Sequence, residues 1–367
     1  MGMSRKSARS QFGVRARIGV IGTGWWATQH HIPSLLNYPA ADLVGICDLK
    51  PEKLQRAADY YDIPGRFTDH RELLAANLDG VVVAVQHAYH YQVARDALDA
   101  GVSVLVEKPM TLHAHEAWDL VDRAAAGDLH LMVGYTFHFT RHAKAAHEIV
   151  RSGRLGEIQF VSGLFATMVE SYLRGRPQDY VDHFQFPVTG PEPSTYSDPA
   201  IAGGGQGVLQ VTHPMGMVLW VTGLHAIEVT GFVENFDLAV DLADAFSYRL
   251  SNGGVGVMGS TGGVRPHQSP LQANTYFGSA GIIEQDLTGG ILRVSYHDGT
   301  SEDFADLTGD ELYPQHAPAR ALVDLIGKGG ENRAPGTVGA RVVEFLEAGY
   351  RSSAEGRTAR IPARPGD

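Results

Sequence analysis

A six-residue turn constrains this chain more than any other feature. Gly22-Thr23-Gly24-Trp25-Trp26-Ala27 follows an apolar run at 17–21 and opens an amphipathic stretch at 26–37. In a strand–turn–helix connection, the first glycine permits the tight turn. The second lets backbone N–H groups approach a pyrophosphate, and the small third residue lets the helix pack closely on the strand. The helix N-terminus then faces the phosphates with partial positive charge. A Gly-x-Gly-x-x-Ala triplet alone is a weak signal, and the strand before it with the helix after it is the context that the dinucleotide turn requires.

The pattern repeats through the first third of the chain. Strands are predicted at 42–47, 80–85, 102–106 and 129–135, and helices at 51–61, 91–100 and 113–126. Pro51 suits the first turn of its helix. The continuous β-branched run from Gly80 to Val85 reads as a strand buried on both faces. Repeated βα units of this kind predict an α/β fold, with an N-terminal Rossmann doubly wound parallel sheet. After Tyr135 the character changes. A helix at 141–152 precedes strand-like segments at 157–166, 226–236, 245–250, 254–260, 274–278 and 292–296, with hairpin signals such as Asn252-Gly253. These predict a C-terminal α+β domain with a large, mostly antiparallel open sheet. The expected organisation is therefore a flexible tail at 1–14, a dinucleotide-binding domain at 15–135, and a substrate-binding and oligomerisation domain at 136–367. A long aperiodic stretch between Glu170 and Gly207, rich in Pro, Gly and aromatic residues, reads as a functional lid or arm. Tyr172, Arg174, Arg176 and Tyr180 in it are candidate polyol contacts.

Bulk properties exclude several classes. The 367 residues carry a formal net charge of −11, which argues against nucleic acid or an anionic membrane surface as the partner. No apolar stretch approaches the roughly 18–20 residues of a membrane span. The polar start, with Arg5, Lys6 and Arg9, lacks a secretion signal's apolar core, so the protein is expected in the cytoplasm. Cys47 is the only cysteine, which rules out an intramolecular disulfide and suits a reducing compartment. Seventeen histidines are many, but none are spaced as a metal box, and no metal is expected.

Asp48 ends the second predicted strand, 24 residues after Gly24. A carboxylate about 20 residues beyond the glycines accepts hydrogen bonds from a ribose diol. It also repels a 2′-phosphate, which favours NAD over NADP, although nearby Lys50 weakens that preference. Val85, at a strand end, is a further cofactor contact, and Trp25 and Trp26 are candidates to flank the nicotinamide or to fill the core. Glu107-Lys108-Pro109 sits at the carboxyl end of another predicted strand, where ligands of open α/β sheets bind. The Lys108 ammonium can stabilise a developing alkoxide there.

Together, Gly-x-Gly-x-x-Ala, Asp48 and Glu-Lys-Pro resemble the Gfo/Idh/MocA oxidoreductase family. His90 resembles the histidine of that family's loop after the fourth strand. Gly134-Tyr135-Thr136-Phe137-His138-Phe139 resembles the segment that opens its second domain, and Arg154 to Ile158 and Ser352 to Ile361 match further motifs. The resemblance implies a homodimer or homotetramer that oxidises or reduces a sugar, cyclitol or glycoside with NAD, or alternatively with NADP. Cofactor contacts would come from Gly22 to Ala27, Asp48, Val85, His90, Glu107 and Lys108. Substrate contacts would come from Lys108, Tyr135, His138, Gln210 and His213. The family carries a glycine-rich segment leading into Asp-x-x-x-His. Here the segment runs from Gly203 to His213, with the histidine kept as His213 and Gln210 read at the aspartate position. By resemblance, Lys108 and His213 are the acid/base pair. Gln210 cannot titrate and can only orient a hydroxyl or polarise a carbonyl. Related readings differ in substrate (a nucleotide-sugar ketoreductase or a dihydrodiol-type reductase) or in class, as a cofactor-binding sensor without turnover.

Overall fold

The structure is a computed structural model, described for residues 15–184 and 186–364. The expected tail at 1–14 lies outside the described residues. The first sheet contains β1 (Ala16–Ile21), β2 (Ala41–Cys47), β3 (Arg66–Phe67), β4 (Gly80–Val83), β5 (Ser103–Val106) and β6 (Leu131–Val133). Its order is β3-β2-β1-β4-β5-β6, with every pair parallel. This is the doubly wound Rossmann arrangement, and its order reverses direction between β1 and β4, at the crevice where dinucleotides bind.

The strands alternate their side chains between two apolar layers. Ile18, Val20, Ile46, Val82, Leu105 and Met132 face one layer, packed by helix Pro51–Tyr60 and the segment ending in helix Ile32–Leu36. Val81, Val83, Val104, Val106, Leu131 and Val133 face the other, packed by helices His90–Asp99 and Ala114–Ala126. Burial on both faces explains why these strands read as unbroken apolar runs. Cys47 is buried here and its thiol is pushed up to about 12 by burial and by Asp48, so it is an inert core group.

The second sheet contains β7 (Ile158–Ala166), β8 (Ala226–Glu234), β9 (Ala243–Leu250), β10 (Val255–Thr261), β11 (Leu271–Gly278), β12 (Gly281–Asp286), β13 (Ile291–Tyr296), β14 (Ser301–Asp303) and β15 (Ala359–Arg360). The order is β14-β13-β12-β11-β7-β10-β9-β8-β15, antiparallel except for β7 against β10. One face packs on helices Thr212–Thr222 and Gly336–Glu355, and helix Arg141–Arg151 packs on Thr212–Thr222. Two long helices near the C-terminus escaped the sequence reading. Gly336–Glu355 buries Glu344 among its apolar residues, which blurs the helical period. Helix Ala317–Lys328 crosses back to the first sheet, where Leu322 and Ile326 cover Gly80.

Candidate active site

Gly22 has φ +96°, and a Cβ placed on it would lie 2.3 Å from the Ala84 carbonyl oxygen, so only glycine fits between β1 and β4. A Cβ on Gly24 meets no atom within 4 Å, so the space before the turn is open. The Thr23 N–H and hydroxyl both donate to Asp48 Oδ2, at 2.9 and 2.8 Å, and the Lys50 N–H donates to Oδ1 at 2.9 Å. A carboxylate offers about four lone-pair sites. One remains on Oδ1 for a ribose hydroxyl. The helix after the turn opens with a π-helical turn, Ala27–His31, a distortion found often at functional sites. The open cradle at Gly24, the helix start beyond it and the anchored Asp48 fit a dinucleotide.

Glu107, at the end of β5, is a buried hub. It accepts from Trp26 Nε1 at 3.0 Å, pairs with His31 Nε2 at 2.8 Å and takes the Lys108 N–H at 3.2 Å. Burial alone would raise its carboxyl, but the His31 hydrogen bond and the nearby charges of His31 and Lys108 outweigh it and hold it below its ordinary value. Gly134 must be glycine because the carboxylate occupies the place of its Cβ, which would lie 2.4 Å from Oε1. Glu107 therefore ties the cofactor helix to β5 and fixes Trp26.

Lys108 projects from the same strand end. Its Nζ donates to the Leu209 carbonyl at 2.9 Å, and burial pushes the ammonium down to about 8 while Glu107 opposes. His213 lies beside it, 8% exposed, with its ring edge-on to Tyr135 and Phe165 at 6.3 and 6.1 Å. Burial, then the Lys108 and His138 charges, push the imidazole well below 6.5. The structure thus brings together the turn, Glu107, Lys108 and His213 at the carboxyl ends of β1, β4 and β5.

Three expected contacts are placed differently. His90 is fully buried, with its ring nitrogens 2.7 Å from the Pro109 carbonyl and 3.0 Å from that of Val85. It clamps the loop after β4 to the Glu-Lys-Pro turn instead of lining the cofactor crevice. His138 is stacked between Tyr135 and Trp220, at 4.9 and 5.2 Å, and its Nδ1 is 2.8 Å from the Arg333 carbonyl. Tyr135 is 1% exposed and its hydroxyl meets Thr212 Oγ1 at 3.0 Å. Both sit behind His213 as packing, because the segment after β6 turns inward under helix Thr212–Thr222. In the long loop, Arg174 is spent on Glu170 and Asp237, and Arg176 on Asp179.

Gln210 also needs correction. Asp-x-x-x-His puts the carboxylate four residues before the histidine, which is Leu209 and not Gln210. Leu209 buries its side chain against Tyr172 and Val240, and its backbone carbonyl meets Lys108. A main-chain acceptor thus stands where a carboxylate was expected. The π-helical turn Gly207–Val211 carries that carbonyl, and Gln210 is half-buried on it.

The residues that hold this turn escaped the sequence reading. Asp241 accepts from the Gly205 and Gly207 N–H groups at 2.6 and 2.7 Å, and from the Tyr350 hydroxyl at 2.8 Å. A Cβ on Gly205 would lie 2.0 Å from the Asp241 carbonyl oxygen, and one on Gly207 2.6 Å from the Tyr350 hydroxyl. The glycine run exists so that Asp241 and Tyr350 can approach its backbone. A glycine cluster with no turn pattern was the available signal, but it named no partner.

The fold and this crevice define a dinucleotide-binding Rossmann protein with a second sheet domain. Residues 16–135 match the model described as "Oxidoreductase family, NAD-binding Rossmann fold", and residues 143–284 match the GFO/IDH/MocA C-terminal domain. The chain belongs to the Gfo/Idh/MocA oxidoreductase family, and its first domain is of the NAD-binding type. An inositol 2-dehydrogenase of Corynebacterium glutamicum is 30% identical over 152 residues, 40% of this chain and 44% of that protein. The chain spans between 39% and 53% of the length of the curated relatives it matches. Among solved structures, GenD2 from gentamicin A biosynthesis in complex with NAD superposes with a TM-score of 0.77 at 23% identity, covering 95% of this chain and 97% of that one. Levoglucosan dehydrogenase in complex with NADH and levoglucosan gives 0.77 at 18% identity, over 95% and 100%. At these identities the structural matches establish the fold.

Proposed function

We propose that the protein is an NAD-dependent dehydrogenase that transfers a hydride between the nicotinamide and a secondary alcohol or ketone of a sugar, cyclitol or glycoside. The observation that carries this reading is the buried Lys108 ammonium, hydrogen-bonded to Leu209 beside His213, at the strand ends that flank the dinucleotide turn. The inositol 2-dehydrogenase relative and the levoglucosan complex support the substrate class proposed.

The turn from Gly22 to Ala27 and Asp48 would hold the dinucleotide, whose nicotinamide supplies the hydride acceptor. Lys108 remains an ammonium at neutral pH and donates to the substrate oxygen, which favours the alkoxide as negative charge develops. His213 is neutral at that pH because its ordinary value is depressed, so a ring nitrogen is free to take the hydroxyl proton. Run backwards, the same imidazolium returns the proton to the carbonyl oxygen while Lys108 polarises it. Tyr135 and Phe165 wall off water from the imidazole.

We also infer that the outer face of the second sheet packs against a second copy. Leu164, Phe232, Val255 and Val257 are exposed there, and Phe232 is 76% exposed. Sedimentation would show a dimer or tetramer. A location in the cytoplasm fits the buried Cys47 thiol; among the described residues no helix is long and apolar enough to cross a membrane.

The test is a panel of cyclitols, sugars and anhydrosugars incubated with protein and NAD, reading formation of reduced nicotinamide against keto product. Equimolar product and reduced cofactor is the expected result. Tight NAD binding with no turnover on any of them would replace this reading with a cofactor-binding sensor.

A further inference from the structure

The second domain reaches back over the first. The segment from Phe186 to Ser197 contacts the cofactor turn and the elements on either side of it. Thr189, 3% exposed, donates to the Thr23 carbonyl at 2.9 Å, and Val188 is buried in the core layer under helix Pro51–Tyr60. Trp25 Nε1 donates to the Tyr196 hydroxyl at 2.9 Å, and Gln86 Nε2 to Thr195 Oγ1 at 3.3 Å. Between these anchors lies Glu192. Its Oε1 pairs with Lys50 Nζ at 2.6 Å and with Lys53 Nζ at 2.5 Å. The next cation on that helix, Arg56, donates to the Val188 carbonyl at 3.4 Å.

Lys50 and Lys53 stand just beyond Asp48, beside the place where its carboxylate would meet the adenosine ribose. Left free, they would form a phosphate-binding pair and favour NADP. They are not free, because a carboxylate from the other domain pairs with both. An incoming 2′-phosphate would meet Asp48 and Glu192 together and would have to displace Glu192 from two ammonium groups.

We propose that Glu192 is a cofactor-specificity residue, supplied from the second domain, that excludes the 2′-phosphate of NADP by occupying Lys50 and Lys53. This rests on the reading of the turn as a dinucleotide site. It makes the NAD preference a product of two carboxylates on different domains, Asp48 and Glu192.

Titration calorimetry with NAD and NADP reads it without turnover. The wild-type protein is expected to bind NAD at least about tenfold more tightly than NADP. Glu192→Gln is expected to improve NADP affinity about tenfold while NAD affinity stays within about threefold, since charge attraction to the two lysines then acts on the phosphate alone. Adding Lys50→Met and Lys53→Met to Glu192→Gln should abolish the gain. A variant that merely loosened the strap would move both nucleotides alike and leave their ratio unchanged, and that result overturns the proposal. So does wild-type protein that binds NADP as well as NAD. Wild-type protein that binds neither nucleotide refutes the dinucleotide site itself, which separates the two failures.

Discussion

Asp241→Asn tests how the glycine turn beside Lys108 is held. Three donors converge on this buried carboxylate: the Gly205 and Gly207 N–H groups and the Tyr350 hydroxyl, all within 2.8 Å. A hydrogen bond to a charged group contributes about 1.5–3 kcal/mol, and a buried donor left unsatisfied costs about 1–3 kcal/mol. Asparagine keeps one acceptor oxygen but turns an NH2 group towards one of the backbone N–H groups. The net cost is about 2–4 kcal/mol, or roughly 5–10 °C in melting temperature for a domain of this size. The same backbone carries the Leu209 carbonyl and leads into the helix of His213, so turnover should fall at least about tenfold. The NAD dissociation constant should hold within about twofold, because the Gly22 turn is untouched. Calorimetric melts, NAD titration and steady-state rates measure the three effects. A melting temperature within about 1 °C of wild type would refute the energetic reasoning. A proportional loss of NAD affinity would refute the separation of the two sites.

Other substitutions probe the remaining groups. Lys108→Met should lower turnover about 10²–10³-fold with NAD affinity nearly intact, and near-normal rates would remove Lys108 from the mechanism. In the wild type, polyol oxidation should decline as pH rises through about 8, where the Lys108 ammonium is lost, and an alkaline limb unmoved by Glu107→Gln would count against this assignment. Gly22→Ala places a methyl against the Ala84 carbonyl at a positive φ, so it should abolish NAD binding and lower stability by more than about 1 kcal/mol, measured by titration and denaturant melts. Asp244 is held above the usual carboxylate range by burial and by the Asp241 charge. The native state therefore keeps a proton that the unfolded chain releases, and stability should fall as pH rises above the ordinary carboxylate range. Asp244→Asn should flatten that slope in pH-dependent melts, and an unchanged slope would assign it to another group.

The sequence by itself determined the Rossmann half almost completely. Its evidence was local: unbroken β-branched runs, one glycine turn, and Asp48 and Lys108 at strand ends, each of which follows from short-range periodicity and backbone geometry. It also marked His213, through a motif, and the aromatic loop from Glu170 to Gly207 as something other than disorder. What it could not determine were pairings across long separations. His90 and His138 carry the same imidazole as His213, and only packing shows that two of the three are committed to backbone carbonyls. The glycine run at 203–207 announces close approach without naming Asp241 or Tyr350 as the groups that approach. The aspartate position was read one residue late, and only the Lys108 hydrogen bond to Leu209 shows what stands in its place. Glu192 carried no motif at all. Its meaning comes from a strap that crosses between domains and sets one carboxylate against two lysines about 140 residues earlier, a contact that depends on how the two domains pack and so leaves no local pattern in the chain.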